Sequence, residues 1–217
     1  MQTTQRCLLC QVKLNDTQSL IQYIVKDCLC AVCRRSLKIK RKTIQIHDLK
    51  LTGFYEYDAF FSDCLIQYKE CMDEALQDMF LSEVKDWIFL HYYHCVFLCA
   101  PSSEEALAKR GFHHVKKMFE QCGIPIVECF KKIEDVNQKT GSLSKRKEIA
   151  KSMIVDETMI PKEKKLILID DIATTGSTLL AMQELLGKDR VKEALCTAIH
   201  PKLLSDFDKR RIHRRIY

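Results

Sequence analysis

Leu166-Ile-Leu-Ile-Asp170-Asp171-Ile-Ala-Thr174-Thr175-Gly176-Ser177-Thr178-Leu179 joins an apolar run to two adjacent acids and then to a small, hydroxyl-rich loop. The run Leu166 to Asp170 reads as a compact buried strand, and Thr178 to Leu186, closed by Gly187, as a helix. A turn of this kind aims successive backbone N–H groups and hydroxyls at one phosphate, and the helix N-terminus adds favourable potential. Gly176 lets the backbone approach closely. Asp170 and Asp171 stand one strand-end away, placed to hold two vicinal ribose hydroxyls or water on a magnesium ion. The expected ligand is a ribose 5-phosphate cradled by Thr174, Thr175, Gly176, Ser177 and Thr178. The Gly-Lys-Thr ending of a Walker loop is absent.

Outward from this loop the chain alternates. Cys95 to Ala100 is a short apolar run stopped by Pro101, and Ser102 with Glu105 has capping-box spacing ahead of a helix that ends near Gly111. His113 to Cys122 reads as a helix, Ile124 to Phe130 as a strand and Leu195 to His200 as another strand. Phe54 to Phe61 has the aromatic content of a strand or hairpin, and Leu65 to Phe80 reads as one helix. The fold class is therefore α/β, a mostly parallel sheet flanked by helices. Ligands of such sheets bind beyond the carboxyl ends of the strands, where the loop would lie. Between Ile133 and Pro161 the chain is polar and lysine-rich, with Gly141 and Ser142 near its centre, and part of it is expected to be a mobile loop.

The remainder of the 217 residues agrees with one folded domain and a small appendage. Hydrophobic residues make up 47% and charged residues 29%, which excludes a disordered or fibrous chain, and 6 Gly with 4 Pro are too few for a many-turned all-β fold. Met1 to Cys10 lacks the pattern of an export signal, and the apolar stretch Trp87 to Ala100, interrupted by His91 and His94, is too short to span a membrane. A cytosolic protein without stable membrane insertion is expected, its 12 cysteines reduced or metal-bound.

Five of those cysteines fall within residues 1–45, which hold too little apolar surface to fold unaided; a zinc module over 1–45 and an α/β domain over 46–217 are expected. Cys7-Leu-Leu-Cys10 and Cys30-Ala-Val-Cys33 have the doubled spacing of two knuckles that close on one tetrahedral zinc. Four thiolates leave no open position, so the ion would be structural. Cys28 is an alternative to Cys30 with a less regular spacing; Cys30 is preferred. His91, His94, His113 and His114 lack convergent acidic or thiol partners, and no second metal site is assigned to them.

The net charge of +6 conceals a polarity. Residues 1–50 carry 10 Lys or Arg against 3 Asp or Glu, residues 201–217 carry 6 against 2, and the middle carries 19 against 24. Arg34, Arg35, Lys38, Lys40, Arg41 and Lys42, and the tail Lys209, Arg210, Arg211, His213, Arg214 and Arg215, are candidate phosphate-backbone contacts, each also readable as a solvated face. Few aromatics accompany these charges, so base stacking is not evident.

Two acids, two small or apolar residues and then Thr-Thr-Gly-Ser-Thr resemble the phosphoribosyl pyrophosphate (PRPP) signature of type I phosphoribosyltransferases. With the cysteine knuckles, Gln67-Tyr68-Lys69, Ala100-Pro101 and Lys109-Arg110-Gly111-Phe112 in that order, nearly the whole chain resembles the ComF family of competence proteins. Glu70 stands where that family usually has Gly, His113-His114 where it has Asn-Gln, and Gln138, Leu143 and Arg146 lie in a loosely similar region. The resemblance implies that Asp170 and Asp171 are the ribose and magnesium-side acids. It also implies that Thr174 to Thr178 cradle the 5-phosphate and that Pro101, Ser102 and Ser103 lie near the pyrophosphate. Arg110 is either a pyrophosphate contact or a helix-capping, acid-pairing residue. PRPP and magnesium are implied as ligands. Single-stranded DNA and a helicase-like competence ATPase of the ComFA type are implied as partners, the latter drawing the protein to the inner face of the membrane. Phosphoribosyl transfer to an unidentified acceptor is the alternative function. Some purine-salvage relatives carry an acidic base where this chain has Thr174, and no nucleobase-binding motif is recognisable.

Overall fold

The computed structural model describes residues 6–14, 28–133 and 152–213, with side chains to Asp208. Gly141, Ser142, Gln138, Leu143, Arg146 and the side chains of the basic tail from Lys209 onward lie outside the described residues. The knuckle residues lead into a short helix α1 (Ala31–Ser36), then β1 (Ile39–Ile46), β2 (Leu49–Glu56), α2 (Ala59–Glu70), a 3-10 turn over Glu74–Met79 and α3 (Lys85–Tyr92). The alternation continues with β3 (Cys95–Cys99), α4 (Glu104–Arg110), α5 (His114–Glu120), β4 (Ile126–Val127), β5 (Phe130–Lys132) and β6 (Met153–Val155). The chain then forms β7 (Lys165–Ala173), α6 (Ser177–Leu186), β8 (Glu193–Ile199) and α7 (Pro201–His213).

Six strands form one sheet in the order β1-β2-β8-β7-β3-β4, parallel except for the β1–β2 hairpin; β5 and β6 pair separately. The middles of the central strands, Val96–Leu98, Leu166–Ile169 and Ala194–Cys196, are apolar because both sheet faces are covered. Phe97, Ile167, Ile169 and Leu195 pack on one side with Phe54, Phe80 and Phe119. Leu98, Leu166, Leu168 and Cys196 pack on the other with Leu179 and Met182 of α6. The hairpin strand β1 was hidden in the sequence by its lysines and arginines. All but its last residue falls inside the span expected for the zinc module, yet it pairs with β2 from Ile46↔Leu49 to Ile39↔Tyr55 as the edge of the main sheet.

Several boundaries move for local reasons. Phe54 to Phe61 is divided between the end of β2 and the start of α2, where Asp58 Oδ1 accepts from the Phe61 N–H at 3.0 Å. The helix read over Leu65 to Phe80 stops at Glu70, since Met72 takes φ +58°, and resumes as the 3-10 turn. Ser103 rather than Ser102 caps α4, accepting from the Ala106 N–H at 3.2 Å, and Gly111 at φ +80° ends that helix. Ile124 to Phe130 yields the two-residue β4 and the start of β5 instead of one strand. Among the described residues no helix is long and apolar enough to cross a membrane.

Candidate functional site

β7 extends beyond Asp170, through both acids to Ala173. Its pairing with β3 ends at Cys99↔Ile169, with the Ala100 N–H reaching the Ile169 carbonyl, whereas its pairing with β8 continues to Ala173↔Ile199. Pro101 has no N–H to extend the ladder on the β3 side. Asp170 and Asp171 thus sit where the sheet opens on one flank and stays closed on the other.

Gly176 has φ +73°, and an added Cβ would lie 2.9 Å from Ile46 Cδ1. Only glycine meets both conditions. α6 follows this residue, whose N-cap position offers no side chain, so the N–H groups of Thr178 and Leu179 in its first turn are left for an outside acceptor. Thr174 and Thr175 are exposed, and Thr175 Oγ1 is 2.8 Å from Ser177 Oγ and accepts from the Ser177 N–H. Ser177 and Thr178 are half-buried. The five residues of the expected cradle are contiguous in space as in sequence.

The two acids have different surroundings. Asp171 is buried; its Oδ2 lies 2.5 Å from Lys69 Nζ and 3.1 Å from His114 Nε2, while Oδ1 accepts from the Ile172 N–H. Burial opposes its ionisation, but the His114 hydrogen bond and the Lys69 charge outweigh that and hold the carboxyl far below the usual range. Asp170 keeps partial access to solvent, and its Oδ1 accepts from the Asp171 N–H. Burial and the neighbouring Asp171 charge push the Asp170 carboxyl well above the ordinary carboxylate value. Of the pair, Asp170 is the one placed to meet a ligand, while both Asp171 oxygens already have partners.

His114 connects this pair to the β3 end. Arg110 donates from a guanidinium NH1 to His114 Nδ1 at 3.0 Å and from Nε to the Lys69 carbonyl at 3.0 Å. An imidazole that accepts at Nδ1 and reaches a carboxylate through Nε2 is neutral with its proton on Nε2. Burial lowers its pKa in the same direction. Ser102 Oγ is 3.3 Å from the same Nδ1, and the Tyr68 hydroxyl donates to the His114 carbonyl. Pro101 is buried and Ser102 and Ser103 are half-buried beside this network, Ser103 being occupied in part as the α4 cap. Two of Arg110's donors face inward. Lys69 and His114 escaped assignment as site residues because each reaches Asp171 across a large sequence separation. Their only prior signal was membership of the short motifs preceding the loop.

At the other motif, Cys7, Cys10, Cys30 and Cys33 bring their sulfurs within 4.8 Å of one another. They are the only such group of potential metal ligands among the described residues. Cys30 caps α1 and its Sγ is 3.6 Å from Cys10 Sγ. Cys28 stands outside the group, its carbonyl accepting from the Leu8 N–H. Burial raises the Cys7 thiol, but N–H groups of Cys10, Cys30 and Leu9 and the Cys10 thiol bring it down to about 6. Four clustered soft donors fit a tetrahedral zinc. Cys7, Leu29, Cys33 and Leu37 share the core that holds Phe54 and Tyr55, so the knuckles are packed onto the main domain.

The first basic run is partly spent inside the molecule. Arg34 pairs with Glu83, Lys38 with Asp58 at 2.9 Å and Lys40 with Glu56 at 2.9 Å. Arg41 lies over the Trp87 ring, 4.3 Å from its centroid.

The model of the phosphoribosyl transferase domain family matches residues 106–214, a span that holds α5, the acid pair and the whole loop. The chain belongs to this family. Competence protein ComFC of Streptococcus pneumoniae (strain ATCC BAA-255 / R6) is 28% identical over 142 residues, 65% of this chain. The alignment spans 63% of the length of that relative. Among solved structures, an adenine phosphoribosyltransferase aligns over 80% of this chain and 93% of its own, at 14% identity and a TM-score of 0.41. Orotate phosphoribosyltransferase from Aeropyrum pernix aligns over 82% and 88% at 13% identity and a TM-score of 0.36. The phosphoribosyl transferase domain thus carries an N-terminal cluster of four cysteines fit for zinc.

Proposed function

We propose that this protein is a competence factor that assists the transfer of incoming single-stranded DNA during natural transformation and binds PRPP, or a related ribose 5-phosphate, at the loop after β7. The observation that carries the ligand reading is the start of α6 behind Thr174–Thr178, which has no side-chain cap from its N-cap residue, with Asp170 at the point where β7 parts from β3. Anion and sugar hydroxyl would be met by different groups: backbone N–H and hydroxyl donors for the phosphate, Asp170 for the ribose. Pro101, Ser102 and Ser103 border the side on which the pyrophosphate would lie. Magnesium would enter with the pyrophosphate oxygens and neutralise their charge, with Asp170 as the accessible protein carboxyl. Zinc on Cys7, Cys10, Cys30 and Cys33 would hold the knuckles to the core and take no part in chemistry at the loop.

The likeness to ComFC supports the competence reading; on that reading a helicase-like ATPase would be the partner and the inner face of the membrane the place of work. Isothermal calorimetry with PRPP and excess Mg²⁺ tests the site. Wild type is expected to give a saturable heat that Asp170→Asn reduces about tenfold in affinity, the effect of losing one charge-assisted bond. No heat from zinc-replete wild type rejects the ligand. Pyrophosphate release in the presence of single-stranded DNA, abolished by Asp170→Asn, would make the protein a transferase acting on nucleic acid. Normal transformation by the Asp170→Asn strain would detach the pocket from the competence role.

A further inference from the structure

Along the chain the basic run is poor in aromatic neighbours, but folding supplies them from α3. Arg41 of β1 covers the indole of Trp87. The His91 ring is stacked on the same indole with centroids 3.9 Å apart and planes 28° from parallel, and is locked there by its Nδ1 proton, donated to the Trp87 carbonyl at 2.7 Å. Trp87 is anchored from beneath by Phe54 at 5.8 Å. His91 and Arg41 are themselves exposed. Alongside, Phe89 and Tyr93 form a ring pair at 6.3 Å with 47% and 65% of their surfaces open to solvent, and His94 stands edge-on to Tyr93.

Two lysines stand at one side of this surface, sharing a single acid. Tyr92, 6.2 Å from Trp87, bonds Glu193, the acid joined to this group, and that carboxylate already pairs with Lys165 at 2.8 Å and Lys50 at 3.9 Å. Flat π surfaces beside Arg and Lys match a strand of unpaired bases joined by phosphates: base faces stack on rings whatever the sequence, and the cations follow the backbone. Duplex DNA offers no free base faces, and a purely apolar protein partner would leave the cations unmatched.

We infer that the Arg41–Trp87–His91 stack, continued by Phe89 and Tyr93, is the platform on which this protein lays single-stranded DNA. This rests on the DNA reading above and adds the place. Lys165 and Glu193 begin their strands and none of the platform residues belongs to the loop after β7 or to the Asp171 network, so the two can be broken separately.

The chain contains a single tryptophan, which makes its emission a direct report on this surface. The zinc-loaded full chain is titrated with oligothymidylate of about 16 nucleotides, the upper range for one binding module, following tryptophan emission and the anisotropy of a labelled oligomer. Wild type should bind with loss of emission. Exposed His91→Ala should weaken binding about tenfold, as removal of one stacking surface does, and Arg41→Gln/His91→Ala further, with PRPP heats and melting temperature unchanged. Trp87→Phe, which keeps a ring at the position, should retain most of the affinity and rule out collapse of α3 as the cause. DNA binding that leaves emission and the double variant's affinity untouched overturns the platform while sparing the DNA reading. Absence of DNA binding by wild type overturns both. Loss of self-association in the double variant, with unchanged DNA affinity, overturns the platform by giving the surface to a second copy of the chain.

Discussion

The cysteine cluster and the acid network each draw four or more polar side chains into a shielded place, yet they are built in opposite ways. Cys7, Cys10, Cys30 and Cys33 are alike, come from two short knuckles and converge on a point between them. Lys69, Arg110, His114 and Asp171 are unlike, come from α2, the end of α4, α5 and β7, and bond to one another. The first arrangement needs a cation from outside to be complete. The second is complete as it stands, and its product is a fixed β7 end on which Asp170 and the loop are presented.

The comparison breaks first if metal does not matter to the knuckles. Chelation, or Cys30→Ser, is expected to cost more than about 4 kcal/mol, the range reserved for loss of a structural metal or comparable framework. Thermal melts with zinc quantified by atomic absorption measure it. Cys28→Ser is the control, and it should keep its zinc; equal damage from Cys28→Ser would replace Cys30 in the ligand set.

The acid network is tested next, by a cycle. Asp171→Asn leaves the half-buried Lys69 without its counter-charge and should cost about 3 kcal/mol in denaturant unfolding. Lys69→Met alone should cost less than that, because His114 and the Ile172 N–H still hold the carboxylate. The double variant should be more stable than the sum of the singles requires, by about 1 kcal/mol or more. Strict additivity would mean that the 2.5 Å contact carries no coupling, and the description of Asp171 as an internal counter-ion would fall.

How much of this was legible follows from the same contrast. The four-cysteine cluster could be read because each pair sits within one turn of chain, where spacing is geometry. The strand, turn and helix around Thr174–Thr178 could be read for the same reason. The ties of Lys69 and His114 to Asp171 could not, because hydrogen bonds between elements from separate parts of the chain leave no periodicity. Strand β1 was obscured because an edge strand tolerates Lys40, Arg41 and Lys42 on positions that a central strand would fill with apolar groups. Arg41 against Trp87 is the same lesson again: the charge was visible and the aromatic was visible, but only the packing of β1 on α3 joins them.

The smallest effect on stability is expected at the loop. Gly176→Ala forces an L side chain into φ +73° and sets a methyl 2.9 Å from Ile46 Cδ1, for a cost of about 1–2 kcal/mol. Ile46→Val removes the clashing methyl but not the backbone strain, so Ile46→Val/Gly176→Ala should recover only the steric share, which a melt resolves from the single variants. Because Gly176 is the hinge on which α6 starts, PRPP affinity should fall in both the single and the double variant, beyond anything the stability change explains in a protein still folded at the assay temperature. Full affinity in Gly176→Ala would show that the backbone there need not hold its left-handed turn for the phosphate. The N–H groups at the start of α6 would then lose their place in the site, while the Asp171 network would stand unaffected.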